Sequence, residues 1–464
     1  MNQNLVNMEY AVRGKVVIEA DKLSKEGKPI IYTNIGNPHS VGQSPLTWPR
    51  QVMALVDLPS EVGIDNPNCQ TLFPQDAIDR ARELKAMMGG SGTGAYSHSQ
   101  GVPGIRSDVA TFCEARDGVP CDPDDIFLTN GASAGISHIL TTCISGPEDG
   151  VMIPIPQYPI YSATLALLGG RQVGYALDEG NRWEANVEEL ERSLAEAKAK
   201  GTTVKAFVLI NPGNPTGQVL SRKAVGEIVK FCFKHGLVLL ADEVYQENVY
   251  CDGKEFTSCK KAAAEEGILG EVEIASFHST SKGIFGECGR RGGYMELTGF
   301  DKEVVGQIYK LASSGLCSGL PGQVMTSLMV KGPPPDGPSY ASFKAERDGI
   351  FGSLGRRAKM VAKGLNDIEG FECNEAEGAM YVFPKVTMPP NAASAAEKEG
   401  VNVDTMYALS LLRETGICVV PAQGFGQEEG RSGFRTTFLP EEETMERAVE
   451  LFKVHHEGFV KKYS

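Results

Sequence analysis

Three short apolar segments, each followed at once by polar residues, constrain the fold of this chain more than any other feature. They cover residues 207–210, 237–241 and 274–277. Apolar runs of this length are typical of buried strands, and helical patterns lie between them. Strands that alternate with helices predict βαβ units, and therefore an α/β fold with a mostly parallel central sheet. Because ligands bind beyond the carboxyl ends of such strands, we expect the polar residues to converge on one site.

Further helix and strand signals extend the same alternation. Ser221 is a suitable N-cap for an amphipathic helix that runs to His235, and Gly236 is its stop signal. Upstream, the pattern predicts a strand, a helix and a second strand, over 125–128, 133–144 and 151–154.

A turn-rich break at 332–338, Gly-Pro-Pro-Pro-Asp-Gly-Pro, separates two parts of the chain. The 464 residues are enough for two domains. After the break, 343–365 predicts a long helix that could bridge them, and 380–383 predicts a strand. The Ala-, Glu- and Lys-rich segment 391–401 predicts an insertion on the surface.

Composition limits the partners and the compartment. The net charge of −14 disfavours nucleic acid and anionic membranes, which both need basic patches. No apolar stretch is long enough to span a bilayer. The 11 cysteines form no Cys-x-x-Cys pair, so we expect reduced thiols and an intracellular protein, in the cytoplasm or in an organelle such as the mitochondrion or peroxisome. The seven histidines show no ligand spacing, so no metal site is predicted.

Lys282 lies in the run His-Ser-Thr-Ser-Lys-Gly at 278–283, just beyond the third apolar segment. A lysine amine can form a Schiff base with an aldehyde. Ser279 and Arg290 can bind a phosphate, the arginine as a planar bidentate donor. A lone lysine beside serines is usually a solvated surface residue. The polar residues upstream favour the functional interpretation.

Asp242, Tyr245 and Asn214 are those upstream residues. Asp242 follows an all-apolar strand, where a carboxylate is desolvated and needs a partner. The alternative is that it caps a helix after it. Tyr245 would share the face of Asp242 on a helical turn, or be an ordinary half-buried tyrosine. Asn214 lies in Asn-Pro-Gly-Asn-Pro-Thr-Gly at 211–217, where it could also be a plain turn residue.

Taken together, these motifs resemble the fold-type-I aminotransferases that use pyridoxal phosphate, and within them the alanine aminotransferase group. The resemblance runs from Asn-Ile-Gly-Asn-Pro at 34–38 to Gly-Phe-Arg at 433–435. It implies a large cofactor-binding domain over 71–345 and a smaller α+β domain built from 1–70 and 346–464. It also implies a homodimer with shared active sites.

The resemblance assigns roles to the candidate residues. Lys282 would carry the cofactor aldehyde and act as the base, and Asp242 would pair with the pyridine nitrogen. Tyr245 and Asn214 would bond the phenolic oxygen of the cofactor. The segment 129–135, Thr-Asn-Gly-Ala-Ser-Ala-Gly, links a strand to a helix N-terminus suited to phosphate. The expected donors there are Ala132, Ser133 and Ala134.

Four further residues complete the predicted site. Tyr158 would stack on the cofactor ring. The Gly-rich run at 89–95 is not a Walker A motif, because no Gly-Lys-Ser/Thr follows, and we interpret it as a flexible loop before Tyr96. The resemblance implies that Tyr96 reaches the phosphate of the neighbouring subunit. Arg435 would bind the substrate α-carboxylate as a bidentate pair, and the Gly36 N–H would assist it.

The predicted activity is reversible transamination of alanine with 2-oxoglutarate, giving pyruvate and glutamate. Glutamate with glyoxylate is a close alternative, and no residue in the sequence separates the two. A pyridoxal-phosphate lyase on the same fold would share every motif. A non-catalytic regulator would need a basic DNA-binding arm, which this acidic chain does not show.

Overall fold

The structure is a computed structural model that describes residues 1–10, 14–90, 92–428 and 430–464. Its strands are β1 Ile31–Tyr32, β2 Ile126–Leu128, β3 Asp149–Ile155, β4 Arg171–Asp178, β5 Glu184–Ala185, β6 Thr203–Ile210, β7 Val238–Asp242, β8 Ile274–Ser279, β9 Gly293–Thr298, β10 Phe371–Glu372, β11 Tyr381–Val382, β12 Lys385–Val386, β13 Ile417–Cys418, β14 Val420–Pro421 and β15 Phe434–Thr437.

The α-helices alternate with these strands through most of the chain. They are α1 Gln3–Asn7, α2 Lys15–Lys25, α3 Thr47–Asp57, α4 Gln75–Met87, α5 Pro103–Asp117, α6 Ala132–Cys143, α7 Ile160–Leu168, α8 Val187–Ala199, α9 Arg222–His235, α10 Cys259–Glu265, α11 Lys302–Ser314, α12 Leu320–Val330, α13 Tyr340–Asn366, α14 Ala392–Lys398, α15 Val403–Thr415 and α16 Glu442–Tyr463.

The central sheet confirms the predicted α/β class. Its eight strands are ordered β2-β9-β8-β7-β6-β3-β4-β5, and all neighbours from β8 to β4 run parallel. The edge strand β5 and strand β9 are antiparallel to their neighbours. The register pairs Ile210 with Asp242 and Asp242 with Phe277. The carboxyl ends of β6, β7 and β8 therefore lie side by side.

Local sequence signals set the helix boundaries well. The Ser221 side chain accepts a hydrogen bond from the Ala224 N–H, and α9 ends at Gly236 in the left-handed conformation, φ 62°. Asp242 is the last residue of β7, and residues 244–247 form a turn rather than a helix. The alternative of a helix cap at Asp242 is therefore wrong, as is the expectation of a helical turn carrying Tyr245.

The segment 391–401 differs from its prediction as a surface insertion. It contains α14, in which Ala392 and Ala396 are buried and belong to the main hydrophobic core. Two alanines four residues apart lie on one helix face, so a charged segment can still pack against α15. The composition of this segment indicated the exposed face of α14 but not its buried face.

The N-terminal segment contacts both parts of the molecule. Strand β1 pairs in parallel with β13, and α2 packs on α15 with Val16 and Ala20 buried. Helix α3 instead packs against α4 and α12. The boundary after residue 70 stays a prediction. Within the described residues, no helix combines the length and apolar character needed to cross a membrane.

Candidate active site

A cavity of about 670 Å³ opens at the carboxyl ends of β6, β7 and β8. It gathers ten of the predicted site residues, which are Gly36, Ala132, Ser133, Tyr158, Asn214, Asp242, Tyr245, Ser279, Lys282 and Arg435. Asp242 ends β7 and Ser279 ends β8, whereas Asn214 and Lys282 follow their strands by a few residues. The sheet therefore brings together side chains that are far apart in sequence.

Lys282 lies at the cavity wall in the loop between β8 and the 3-10 helix Cys288–Arg290. Its amine donates a hydrogen bond to the Gly36 carbonyl. A Cβ atom on Gly36 would lie 2.6 Å from Lys282 Nζ and 2.2 Å from the hydroxyl of Tyr381. Position 36 therefore has no room for a side chain. The predicted use of the Gly36 N–H for a carboxylate stays a prediction.

Asp242 is buried and only half satisfied. Its Oδ2 atom accepts a hydrogen bond of 2.8 Å from Tyr161, and its Oδ1 atom has no partner of normal geometry among the described residues. Burial raises the pKa of Asp242 to about 6, although the Tyr161 hydroxyl, the Val244 N–H and the Lys282 charge act in the opposite direction. An unpaired oxygen here is suited to a cationic N–H donor.

Tyr161 and Tyr381 are site residues that the sequence analysis missed. The Tyr245 and Tyr381 hydroxyl oxygens are 3.0 Å apart and both side chains are buried. Burial raises the pKa of Tyr245. Tyr161 lies three residues after Tyr158 near the start of an apolar helix, which was a usable signal. Tyr381 comes from β11, so only the tertiary structure brings it here.

The N-terminus of α6 forms another wall of the cavity. Ala132 and Ser133 line the cavity from the first helical turn, where N–H groups have no intrahelical partner. Ala134 does not line it, and its N–H donates to the Gly131 carbonyl at 3.3 Å. The Ser279 hydroxyl accepts from the Ser281 N–H at 2.9 Å. The first turn of α6 thus offers an anion site.

The structure corrects which arginine lies beside the first turn of α6: it is Arg291 and not the predicted Arg290. Arg291 lines the cavity and its guanidinium donates to the Asn130 carbonyl at 2.8 Å and to the Ser133 hydroxyl at 3.3 Å. Arg290 lies outside the cavity, with its Nε atom 3.8 Å from the Glu287 carboxylate. Arg290 ends a 3-10 helix and Arg291 has a φ of 54°, so the two neighbours point differently. The spacing from Lys282 could not decide which of two adjacent arginines would face the cavity.

Arg435 is a buried cation on β15. Its guanidinium donates to Asn214 Oδ1 at 3.1 Å and to the Asn34 carbonyl at 2.7 Å, and its Nε atom has no partner among the described residues. Two of its five N–H donors are used by the part of the chain that the structure describes, which leaves three. The guanidinium lies over the rings of Tyr381 and Phe425, at 4.3 and 4.8 Å from their centroids. It is therefore rigidly held and suited to bind a carboxylate.

Comparison with known proteins decides the family. Residues 65–452 match the family described as aminotransferase class I and II. This chain belongs to that family. It is 49% identical to glutamate–glyoxylate aminotransferase 1 of Arabidopsis thaliana, covering 100% of this chain and 96% of the relative. It is 48% identical to alanine aminotransferase 2 of Panicum miliaceum, covering 100% and 98%.

Solved structures agree with this assignment. An alanine aminotransferase from Pyrococcus furiosus superposes with a TM-score of 0.77 at 25% identity, over 99% of this chain and 100% of that one. An aminotransferase from Escherichia coli gives the same TM-score at 26% identity, over 99% and 98%. The chain is thus an aminotransferase with the fold-type-I architecture.

Two predicted aromatic residues of this aminotransferase differ in their placement. Tyr158 lines the cavity, and its hydroxyl oxygen is 2.9 Å from that of Tyr10. Tyr96 is 79% exposed and lies outside the cavity. In the Gly-rich run before it, Ser91 is outside the described residues, and Gly92–Gly94 form a 3-10 helix. An exposed Tyr96 is free to contact another subunit.

A second polar cluster of the aminotransferase lies away from the cavity. One ligand-type atom from each of Cys113, Cys121 and Glu296 lies within 4.8 Å of the others. Glu296 is also paired with Lys260 at 2.5 Å, and both side chains are almost fully buried. Histidine spacing gave no sign of this cluster. Because the carboxylate already has a cationic partner, we interpret it as a buried ion pair beside two thiols.

Proposed function

We propose that this aminotransferase transfers an amino group reversibly between L-alanine and 2-oxoglutarate, giving pyruvate and L-glutamate, with pyridoxal 5'-phosphate as cofactor. The observation that carries the proposal is that one cavity holds an amine, a half-satisfied acid and a guanidinium, from Lys282, Asp242 and Arg435. The alanine aminotransferase of Panicum miliaceum, similar over its whole length, supports the choice of substrates.

The residues present fit this cofactor. The Asp242 oxygen that has no partner among the described residues would accept from a protonated pyridine nitrogen, and the Lys282 amine would hold the aldehyde carbon. The first turn of α6, with Ser279 and Arg291, would bind the phosphate. When bound, the cofactor supplies an electron sink for negative charge that develops on the substrate Cα.

The side chains of this protein would do the remaining work. Arg435 binds the α-carboxylate and so orients the substrate Cα toward Lys282. The Lys282 amine takes the Cα proton as a general base and later returns it as a general acid. The Gly36 carbonyl holds that amine in place. Asp242 supplies the negative charge that keeps a pyridine nitrogen protonated.

Glutamate with glyoxylate is the second candidate, because the Arabidopsis relative at 49% identity carries that name. The test is kcat/KM of the purified protein with alanine plus 2-oxoglutarate and with glutamate plus glyoxylate. A higher value for the first pair supports the proposal, and a higher value for the second replaces it. A lyase would consume alanine continuously without any oxo acid, whereas an aminotransferase stops after one equivalent.

Arg435→Lys is expected to raise KM for alanine and for glutamate together. An ammonium keeps the charge but cannot serve Asn214, Asn34 and a carboxylate in the same planar geometry. Loss of one charge-assisted hydrogen bond predicts an increase of roughly 10- to 100-fold. Steady-state kinetics with both amino acids measures it.

The matched control for this change is Arg431→Lys. Arg431 lies four residues earlier, pairs with Glu179 and is outside the cavity. Its substitution should leave both KM values near those of the wild type. If Arg435→Lys affected only one amino acid, the guanidinium would contact a side chain and not the α-carboxylate.

We also propose a homodimer in which Tyr96 completes the site of the partner subunit. Its support is the exposed Tyr96 side chain after a glycine-rich run. Lys282→Ala and Tyr96→Phe proteins, each inactive or strongly impaired, should regain activity when they are dissociated and mixed. A hybrid dimer then has one intact site, so random mixing predicts about a quarter of the wild-type activity.

The mixing experiment requires that Tyr96→Phe alone lowers activity substantially, which is measured first. If Tyr96 served its own chain, every hybrid site would carry one lesion and mixing would restore nothing. Sedimentation of the wild type at assay concentration is the independent measurement, and a fully active monomer would contradict the proposal.

A further inference from the structure

Tyr381 is a second phenol beside the lysine to which the proposed chemistry gives no role. Its side chain is 2% exposed and lines the cavity. Its hydroxyl oxygen is 3.0 Å from that of Tyr245. A Cβ atom on Gly36 would be 2.2 Å from this oxygen and 2.6 Å from Lys282 Nζ. The phenol oxygen and the reactive amine therefore crowd the same point beside Gly36.

The ring of Tyr381 makes a separate contact. The Arg435 guanidinium lies 4.3 Å from the ring centroid. The face of an aromatic ring attracts a cation, so the ring helps to fix the guanidinium. One side chain therefore contacts the group proposed to bind the carboxylate through its ring, and approaches the amine through its hydroxyl.

We propose that Tyr381 is a positioning residue for transamination. Its hydroxyl, with the Gly36 carbonyl, fixes the Lys282 amine and favours the protonated amine, and its ring holds Arg435 in the orientation that receives the substrate carboxylate. This inference rests on the proposed function. The proton moves between the substrate Cα and Lys282 Nζ, and no bond to Tyr381 is made or broken.

The charges around Tyr381 agree with this role. Burial opposes ionisation of the phenol, but the Lys282 and Arg435 charges and the Tyr245 hydrogen bond outweigh it, so the pKa of Tyr381 is below its usual value. The Cys288 thiol acts in the opposite direction, and Tyr158 is a further titratable neighbour of this phenol. When the phenol ionises, its oxygen becomes an anionic acceptor, which binds an ammonium group more strongly than a neutral phenol does.

Two substitutions separate the hydroxyl from the ring. Tyr381→Phe keeps the ring under Arg435 and should lower kcat roughly 10- to 100-fold, with KM for alanine and glutamate near the wild type. Tyr381→Leu also removes the ring, so KM should rise in addition by roughly 3- to 30-fold. This split between kcat and KM is not expected for a residue that only stabilises the fold.

A second readout needs no turnover. The pH titration of the absorbance of the lysine-bound cofactor, without substrate, reports the proton affinity at Lys282. Tyr381→Phe should shift its midpoint to lower pH, because an oxygen that favours the protonated form is lost. The matched control is Tyr250→Phe, which removes a buried hydroxyl bonded to Asn248 and the Ala379 carbonyl outside the cavity. It should change neither kcat nor the midpoint.

A folded Tyr381→Phe protein with wild-type kcat and an unchanged midpoint would overturn the proposal. So would an effect on KM alone. If Tyr381→Phe fails to fold, a ring-fluorinated tyrosine at 381 keeps the hydroxyl and nearly the size while lowering the phenol pKa, and an unchanged midpoint then overturns the proposal. If the wild type does not turn over alanine, the proposed function fails, while the substrate-free titration still decides the role of Tyr381.

Discussion

Lys282→Ala is expected to abolish transamination and leave the fold intact. The substitution removes both the amine that would hold the cofactor aldehyde and the base for the Cα proton, so kcat should fall by roughly four orders of magnitude or more. The lysine is half-buried, and among the described residues its amine donates one hydrogen bond, to the Gly36 carbonyl. Its loss should therefore change the free energy of unfolding by only about 1 kcal/mol.

The measurements are kcat with alanine and 2-oxoglutarate, and thermal or denaturant unfolding. Added small primary amines should restore part of the activity, because they can take up the proton in the space that the side chain leaves. Full activity without Lys282 would exclude this lysine as the base and as the residue that holds the cofactor.

Asp242→Asn is expected to weaken cofactor retention and turnover while sparing the cofactor-free fold. A neutral amide cannot balance a protonated pyridine nitrogen, and breaking such a buried ion pair should cost about 3–5 kcal/mol. Tyr161 can still donate to the amide oxygen of the new side chain. Cofactor affinity and kcat are the quantities to measure.

The stability of the cofactor-free protein provides a second check, because there the Asp242→Asn substitution should not be harmful. The pKa of Asp242 is raised from 3.8 to about 6, so the carboxylate destabilises the folded state as pH rises through this range. A shift of this size corresponds to about 3 kcal/mol at pH 7. Asp242→Asn should therefore remove that pH dependence and leave the cofactor-free protein at least as stable at pH 7. A large loss of stability would show that Asp242 is a structural residue.

Glu243→Gln is the matched control for Asp242. Glu243 is the next residue, and burial raises the pKa of its side chain to about 7. It faces away from the cavity, where it accepts from the Cys259 N–H and lies 3.6 Å from Arg116. Since its raised pKa has the same sign as that of Asp242, its substitution should likewise leave the cofactor-free protein at least as stable at pH 7, but it should leave cofactor affinity and kcat unchanged. Comparison of Asp242→Asn with Glu243→Gln therefore distinguishes a loss of cofactor binding from a general effect of removing a buried carboxylate.

The sequence by itself determined the sheet and the side chains at its carboxyl ends. Apolar runs that become β6, β7 and β8 are bounded by polar residues, and burial of such strands on both faces favours a mostly parallel α/β arrangement. Asn214, Asp242 and Lys282 could be placed together because neighbouring parallel strands end at the same edge. The N-cap of α9 at Ser221 and its end at Gly236 could also be predicted, because both depend on local sequence.

Only the tertiary structure decided the contacts between distant segments and the direction of individual side chains. The Tyr381 hydroxyl comes from β11 to the same place beside Gly36 as the Lys282 amine, and no local sequence pattern records such an approach. Arg291 lines the cavity and Arg290 does not, because the left-handed backbone at residue 291 directs the two side chains differently. The lack of a partner for Asp242 Oδ1 among the described residues is likewise a property of packing. Local propensity and periodicity describe neighbours in sequence, whereas pKa values and hydrogen bonds depend on neighbours in space.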